Sequence, residues 1–257
     1  MRRKLKKVVL FLAGLILMSV MFSCKKSKTP TPAPPAPTPP ASLVAYWPLD
    51  GTADDKSLYG HSGVASGVTP TTDRFNKANG ALHFDGQTSF IMVADKADLR
   101  LGSTDFTLNA WVKLDAYSSD FVSTIISKRQ NGVNGGWLWA INGAGNAPKG
   151  AIYYGPGGGS TNAIGNMALS VGQWYMVTCV YTVSNSVLQI YVNGTLDKQY
   201  SGISPANANT AVALTIGKDT ANGDAYFFNG SLDEIKIYNI ALSQSDITKF
   251  YTAANGL

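Results

Sequence analysis

The sequence predicts an all-β fold in which short antiparallel strands form a sandwich or a barrel. From residue 43 onward, short apolar runs are separated by segments rich in Gly, Asn, Asp and Ser. A convincing helical pattern occurs once, near the C-terminus, where Ile247, Phe250 and Tyr251 share one face behind a capping Ser243. About 215 residues follow position 40, which is a usual length for one such domain.

Residues 1–23 have the pattern of an export signal. Residues 1–7 are basic, and residues 8–22 form an uncharged apolar run that is shorter than the roughly 20 residues of a membrane-spanning helix. The run ends in Met21-Phe22-Ser23-Cys24, which is similar to a bacterial lipoprotein cleavage site. We therefore predict a lipoprotein signal peptide, cleaved before Cys24, and a lipid on the Cys24 thiol. An ordinary secretory signal with an incidental cysteine is the alternative.

Residues 24–42 are predicted to form a Pro/Thr-rich tether. Alternating Thr, Ala and Pro over residues 29–40 favour an extended polyproline II conformation without a core. At roughly 3.1 Å per residue, residues 25–40 would span on the order of 45 Å. The tether would hold the following domain, residues 43–257, away from a membrane surface. A proline-recognition ligand is the alternative use of this segment.

The basic character of the chain belongs to its N-terminus. The chain has a formal net charge of +5, but eight Lys and Arg residues and no acidic residue precede Thr29. From Ala41 onward, 13 Lys and Arg residues stand against 16 Asp and Glu residues, which gives this part a net charge of −3. A nucleic-acid-binding surface needs clustered Lys and Arg, so we expect no nucleic-acid partner.

The strands are predicted in order from their apolar patterns. Phe106–Leu114 alternates cleanly, with Phe106 and Leu108 on one face and Asn109 and Trp111 on the other. Asn193-Gly194 favours a type I′ hairpin turn. The last strand is expected over residues 232–238, entered from a turn at Gly230, with one buried and one wet face. The other predicted strands cover residues 81–86, 90–93, 124–127, 137–141, 151–154, 174–181, 188–192 and 213–216.

Seven segments, in order, resemble the LamG-like jelly-roll family of the concanavalin A-like lectin/glucanase superfamily. They are YWPLDG at 46–51, GALHFDG at 80–86, FTLNAWV at 106–112, QW at 173–174, LQIYVNG at 188–194, LTIG at 214–217 and GSLDEIKIY at 230–238. The resemblance implies a two-sheet antiparallel jelly-roll sandwich, one sheet curved, with its first and last strands side by side. Some family members carry a cysteine pair, but this domain contains only Cys179, which we expect to be a small buried residue.

The superfamily includes glycoside hydrolases, so catalysis must be considered. Such enzymes usually need two carboxylates flanking the scissile bond. The glucanase branch of the superfamily carries two Glu and one Asp at alternating positions of one strand, but the only glutamate of this chain is Glu234. In a regular strand, the neighbouring Asp233 points to the opposite face. An Asp–Asp pair is the alternative, and no motif supports it. His61 and His83 have no Gly-x-Ser-x-Gly elbow to work with. We therefore expect no enzymatic activity, and glycoside hydrolysis is the third choice of function.

A structural calcium ion is the cofactor that the resemblance implies. Relatives of this fold often hold one where the first and last strands meet, and the matching positions here are Asp50 and Asp233. Calcium prefers oxygen ligands from carboxylates and turn carbonyls, and two buried carboxylates repel each other without a cation. The alternative is that these aspartates cap turns through their own backbone.

A sugar site needs exposed aromatic faces with amide or hydroxyl groups nearby. The segment 131–166 is rich in Gly and Asn and contains several aromatic residues. Trp137 and Trp139 share one strand face, so they should both be buried or both exposed, whereas Tyr153 and Tyr154 lie on opposite faces. The face with Asn109 and Trp111 is expected to be the open side of the curved sheet. The predicted ligand-binding residues are Asn109, Trp111, Trp137, Trp139, Tyr153 and Tyr154.

The sequence thus predicts a lipid-anchored module of the bacterial cell envelope, at the outer membrane or cell surface. It would recognise a glycan or a glycosylated surface without catalysis. An adhesive or structural module that binds a protein partner is the second reading.

Overall fold

The computed structural model describes residues 40, 42–102, 104–130, 135–144, 148–155, 162–206, 211–219 and 226–253. These residues belong to one compact unit, Thr38–Leu257. The predicted signal segment, Cys24 and nearly all of the predicted tether lie outside the described residues.

Two antiparallel sheets contain all the strands of the described residues. Sheet A has the order β13-β12-β11-β6-β15-β4-β3, with β1 also paired to β15, and sheet B has the order β10-β9-β8-β7-β14-β5-β2. Sheet A contains β1 Leu43–Trp47, β3 Thr69–Thr71, β4 Ala81–Asp85, β6 Phe106–Leu114, β11 Trp174–Thr182, β12 Val187–Val192, β13 Thr195–Ser201 and β15 Asn229–Tyr238. Sheet B contains β2 Val64–Ser66, β5 Phe90–Val93, β7 Val122–Arg129, β8 Gly136–Asn142, β9 Ile152–Gly155, β10 Ala163–Ile164 and β14 Leu214–Ile216. The two-sheet jelly-roll prediction is confirmed.

The core lies between the two sheets and follows the predicted alternation. Phe106 and Leu108 of β6 are buried in it together with Trp47 of β1 and Ile126 of β7. Cys179 is also fully buried in this core, as predicted. Alternation places every second residue of a strand on the inner face, so clean patterns such as that of β6 are sufficient to identify the core.

The first and last strands lie side by side, as the family resemblance implied. Leu43 pairs with Tyr238 and Trp47 with Ile235 in an antiparallel register. The hairpin between β12 and β13 is also as predicted, since Asn193 and Gly194 have φ angles of 50° and 77°. Two positive φ values in succession are the requirement of a type I′ turn.

Two expectations for β15 are wrong. Gly230 does not form a turn before the strand but lies within it, with a φ of 145°, where a Cβ atom would be 2.1 Å from the Lys113 carbonyl oxygen. The face that was expected to be wet is not exposed either, because Glu234 and Lys236 are both buried. The loop of residues 72–80 and the C-terminal helix cover that face.

Helix α1, Gln244–Thr252, packs on the outer face of sheet A. It begins as predicted, with the Ser243 hydroxyl accepting a hydrogen bond from the Asp246 N–H. Ile247 is buried in a second, smaller apolar cluster with Trp111 and Met176 of sheet A. The Phe250 ring stacks on Tyr238 of β15 at a centroid distance of 5.9 Å. Short 3₁₀ turns occur at Ala97–Leu99 and Val183–Asn185.

Candidate functional site

The site is built where β15 changes its neighbour on one edge. Its residues up to Leu232 pair with β4, and its residues from Ile235 onward pair with β1. A β-bulge lies between these two stretches, and Glu234 has a φ of 54° there. Bulges re-aim side chains and interrupt strand pairing. Asp233 and Glu234 therefore come to line one pocket, and the expectation that they lie on opposite faces is wrong.

The pocket has a volume of about 250 Å³ and opens between β1, β15 and the loop of residues 72–80. It contains four carboxylates, two cationic side chains and two aromatic rings. The lining residues are Tyr46, Asp50, Asp73, Arg74, Phe75, Lys77, Gly80, Asp233 and Glu234. A concave site with several convergent polar groups is the usual form of a small-ligand site.

Arg74 forms the buried side of the pocket. Its Nη1 donates to Asp233 Oδ2 at 2.6 Å, and both side chains are almost fully buried. The guanidinium lies over the ring of Phe75 at 4.4 Å and over the ring of Trp111 at 4.5 Å. Such stacking is a preferred arrangement of arginine. The two rings and the carboxylate together fix the position of the guanidinium.

The loop that presents Arg74 is folded around a buried aspartate. Asp73 Oδ1 accepts hydrogen bonds from the backbone N–H groups of Phe75 and Lys77, each at 2.8 Å. This pattern is the ordinary way in which an aspartate stabilises a turn. At the exposed side of the pocket, Lys77 Nζ donates to Asp50 Oδ1 at 2.7 Å. The loop therefore brings one cation to each of the two predicted metal ligands.

Glu234 is held from two sides. Tyr46 donates its hydroxyl to Glu234 Oε1 at 2.8 Å, and Lys236 Nζ donates to Glu234 Oε2 at 2.7 Å. Burial, with the Glu234 charge nearby, raises the pKa of the Tyr46 hydroxyl, and burial lowers the pKa of Lys236. Burial and then the Glu234 charge raise the pKa of Asp233 to about 8, against the opposing effect of Arg74.

The predicted calcium ligands lie in the same pocket, but each has a protein cation as its partner. Asp233 is paired with Arg74, and Asp50 is paired with Lys77. Across the part of the chain that the structure describes, no three His, Cys, Asp or Glu side chains are grouped so that they could hold a metal ion. These aspartates, as placed here, therefore do not fit a calcium ion, which needs six to eight oxygen ligands.

Three of the predicted sugar-binding rings lie in the core between the sheets. Trp137 and Trp139 are both fully buried, which fulfils the expectation that they share one environment, and Tyr154 is 1% exposed. Tyr154 packs beside Phe106, with the ring centroids 5.7 Å apart. In this arrangement the three rings pack against other buried side chains of the core and not against solvent. Their role in binding stays a prediction.

The face with Asn109 and Trp111 is not open, contrary to expectation. Helix α1 covers it, and Tyr251 stacks on Trp111 at a centroid distance of 5.8 Å. The Asn109 side chain is buried and donates to Thr178 Oγ1 at 2.7 Å. Nothing in the strand pattern of β6 shows that a helix more than 130 residues later will cover it.

Tyr153 lies on the outer face of sheet B, opposite to Tyr154. It is buried there in a cluster with Val122 and Leu138. Phe121 packs edge-on against Tyr153, with the ring centroids 5.5 Å apart, and Phe121 remains 36% exposed. This outer-face cluster is the place where the predicted aromatic block comes closest to solvent.

Sequence reasoning missed Arg74, Phe75 and Lys77. They lie in a polar loop without apolar periodicity, so no pattern assigns them to a face. The available signal was the segment Asp73-Arg74-Phe75-Asn76-Lys77, in which an aromatic residue is flanked by cations. Phe75 is 53% exposed, and large apolar side chains placed beside polar pocket groups mark candidate binding surfaces.

The structure describes no helix that is both long and apolar enough to span a membrane. The predicted lipidation site, Cys24, lies outside the described residues.

Comparison with solved structures finds the same fold in a domain of an arabinanase and in a neurotoxin binding domain. One similar structure is that of domain 4 of AbnA, a GH43 extracellular arabinanase from Geobacillus stearothermophilus, in complex with arabinotriose. It is 18% identical in sequence with a TM-score of 0.64, and the match covers 81% of this chain and 97% of that one. The binding domain of botulinum neurotoxin serotype G is 18% identical with a TM-score of 0.61, over 81% of this chain and 50% of that one. At these identities the likeness shows the fold alone.

A third similar structure is that of botulinum neurotoxin type C, whose cell entry is dependent upon interaction with two ganglioside molecules. It is 15% identical with a TM-score of 0.57, over 82% of this chain and 50% of that one. None of the curated proteins compared with the chain is similar to it. A sequence profile described as Concanavalin A-like lectin/glucanases superfamily matches residues 85–248.

Proposed function

Because the chain belongs to the concanavalin A-like lectin/glucanase superfamily, we propose that it is a non-catalytic recognition module for a carbohydrate or a glycosylated surface. The observation that carries the proposal is the pocket between β1, β15 and the loop of residues 72–80. There the exposed ring of Phe75 stands beside carboxylates and a lysine.

The chemistry of the pocket suits a sugar. A sugar ring offers C–H groups on its faces, which pack on an aromatic ring, and hydroxyl groups around its edge, which need hydrogen-bond partners. The Asp50 carboxylate and the Lys77 ammonium group are about half exposed at the pocket entrance. Asp50 can accept a hydrogen bond from a hydroxyl group and Lys77 can donate one. Phe75 supplies the apolar surface beside them.

The solved structures support a glycan as the ligand class. The arabinanase domain was solved in complex with arabinotriose, and the cell entry of type C neurotoxin depends on interaction with two ganglioside molecules. Fold alone does not determine a ligand. The proposal for this chain therefore rests on the pocket, and these neighbours indicate which ligands to try first.

The test is affinity electrophoresis of the chain from Lys25 onward through gels that contain a panel of polysaccharides. We expect retardation in at least one gel, and loss of that retardation in Phe75→Ala, because the variant loses the apolar surface of the pocket. Phe121→Ala is the matched control, since it removes an exposed ring from the outer face of sheet B. Thermal unfolding of each variant checks that the fold is intact.

Each outcome of this test either locates the carbohydrate-binding site or contradicts the proposed one. Loss of retardation in Phe121→Ala, with Phe75→Ala unaffected, would move the site to the outer-face cluster around Tyr153. Absence of retardation in every gel would contradict the carbohydrate proposal for that panel. Release of reducing ends from a polysaccharide would replace recognition by hydrolysis, for which Asp233 and Glu234 would be the first residues to substitute.

A protein partner is the second candidate, and one observation favours it. Val64 of β2 and Met92 of β5 are neighbours in the pairing of sheet B and are 69% and 47% exposed. Adjacent exposed apolar side chains on an edge strand are a typical start of a protein contact. Binding of a surface protein that Met92→Asp abolishes, without any retardation in the polysaccharide gels, would favour this function.

The proposal includes a location at the bacterial cell envelope, at the outer membrane or cell surface. It rests on the sequence of residues 1–42, where a predicted lipoprotein signal is followed by Cys24 and an extended tether. Such an anchor would hold the recognition domain at a distance from the lipid.

A further inference from the structure

Arg74 lies among the four carboxylates of the pocket and is paired with one of them, Asp233. The pocket brings together the carboxylates of Asp50, Asp73, Asp233 and Glu234. Carboxylates crowded in a partly buried site repel one another unless positive charge lies among them.

The guanidinium of Arg74 is built into the site and does not reach it from the surface. Its side chain is 7% exposed, its Nη1 donates to Asp233 at 2.6 Å, and it is enclosed by the rings of Phe75 and Trp111. Trp111 is in turn stacked on Tyr251 of α1. A side chain enclosed in this way keeps one position, as a bound ion does.

The remaining carboxylates also have donors from the protein. Lys77 donates to Asp50, Lys236 donates to Glu234, and Asp73 accepts backbone N–H groups of its own loop. The three side-chain cations come from two segments that meet only in the folded domain. Each carboxylate of the pocket thus has a partner without any ion from solution.

We propose that Arg74, assisted by Lys77, is an internal counter-ion that replaces calcium at the junction of the first and last strands. The folded domain then needs no divalent cation, because the guanidinium is paired with Asp233 and keeps calcium from it. Substituting Arg74 removes the partner of Asp233, and the pocket carboxylates, which are not grouped as metal ligands in the natural chain, can then close around a cation. A variant without this side chain therefore binds calcium where the natural chain does not.

The experiment measures thermal unfolding and calcium titration calorimetry on the chain from Lys25 onward. For the natural chain we expect the same melting temperature in millimolar calcium and in chelator, and no heat of binding. For Arg74→Met we expect a lower melting temperature in chelator, partial recovery that increases with calcium concentration, and a measurable heat of calcium binding.

Lys77→Met is the second variant, to be used if Arg74→Met does not fold. Lys77 is exposed, and its substitution removes the cationic partner of Asp50 alone. This variant should gain weaker calcium binding than Arg74→Met. Lys56→Met is the matched control, since it removes a cation from Asp54 on the exposed surface, at 3.2 Å, and should gain none. These readouts involve no sugar, so they are independent of the polysaccharide gels.

A rise in the melting temperature of the natural chain with calcium would overturn the proposal and establish the structural calcium that the family resemblance implies. Calcium-independent behaviour of the natural chain, of Arg74→Met and of Lys77→Met would also overturn it, since Arg74 would then be an ion-pair partner and not the replacement of a cation. Gain of calcium binding by Arg74→Met, without gain by Lys56→Met, is the result that supports it.

Discussion

Lys128 is a lysine whose side chain is buried inside the domain. Its side chain is 1% exposed, and its Nζ donates to Asp95 Oδ1 at 2.6 Å and to the carbonyl oxygen of Val212 at 2.5 Å. Arg100 also pairs with Asp95. Hydrogen bonds from Arg100, and then from Lys128, hold the pKa of Asp95 at about 2, below its usual value. Burial lowers the pKa of Lys128.

We expect Asp95→Asn to lower the free energy of unfolding by about 3 kcal/mol at pH 7, because it leaves the buried Lys128 ammonium without its counter-charge. The folded-state pKa of Asp95 is depressed, so its stabilisation is present above pH 3.8 and declines as the pH falls toward 2. The difference between the natural chain and the variant should therefore shrink over this interval. Urea unfolding at a series of pH values measures it.

Asp54→Asn is the control for this substitution. Asp54 forms an ion pair with Lys56 at 3.2 Å in which both side chains are 55% exposed. Exposed pairs contribute little, so its effect should stay below about 1 kcal/mol at every pH. An Asp95→Asn effect as small as that of Asp54→Asn would show that Lys128 does not depend on the carboxylate.

At the level of single residues, the sequence predicts burial better than function. Cys179 could be assigned to the core, and Trp137 and Trp139 could be assigned to one common environment because a strand pattern places them on the same face of the sheet. Arg74 and Phe75 could not be assigned to the site, because a loop has no such pattern. Their positions depend on Trp111 and Asp233, which are distant in the sequence.

Helix α1 is the element that closes the outer face of sheet A. Its buried residue Ile247 packs in the cluster that also contains Trp111 and Met176. Trp111 belongs at the same time to the stack that holds Arg74. The helix therefore supports the candidate site although it contributes no residue to the pocket lining.

We expect Ile247→Ala to lower the free energy of unfolding by about 3 kcal/mol, because it leaves a cavity between the helix and the sheet. The intrinsic tryptophan fluorescence, to which Trp111 is one of five contributors, should shift toward that of exposed indole. Lys249→Ala, on the exposed side of the same helix, should change stability by less than about 0.5 kcal/mol. Equal effects of the two substitutions would show that the helix is not packed on the sheet.

The alternation rule for strands fails where a strand is irregular, as at the bulge of β15. The alternation rule predicted the inner residues of β15 correctly, but it assumed a regular strand and so separated Asp233 from Glu234. The bulge depends on the change of partner from β4 to β1, and that change is a property of the sheet. β2 and β3 were not predicted because each has only three residues, almost all exposed.

The whole chain combines the described domain with an N-terminal segment that the sequence assigns to export and anchoring. If the lipid on Cys24 is the anchor, Cys24→Ser should move the protein from the membrane fraction to the soluble fraction of a bacterial cell that exports it. This move between fractions is expected because a covalent lipid at the Cys24 thiol would be the attachment to the membrane, and serine cannot carry it. The measurement is fractionation followed by immunoblotting.

Cys179→Ala is the matched control, since Cys179 is the other cysteine of the chain and is buried in the core. It should stay in the membrane fraction. Persistence of Cys24→Ser in the membrane fraction would contradict lipid anchoring and leave the ordinary secretory signal as the better interpretation of residues 1–23.

The fold of the whole domain was the most predictable level, since ordered landmarks spread over most of its length agree with one topology. The pairing of β1 with β15 came from the family resemblance, because no local pattern in either strand specifies its neighbour. The candidate site was the least predictable level, since it forms only when residues near positions 46, 74 and 233 meet.

The central position of β15 in sheet A has a consequence for biosynthesis. The strand pairs with β6 on one edge and with β4 and β1 on the other, yet it is the last strand of the described residues in sequence order. Until β15 has been synthesised, β1 and β4 lack the strand that joins them to β6. The two halves of sheet A therefore stay apart until nearly all of the described domain has been made.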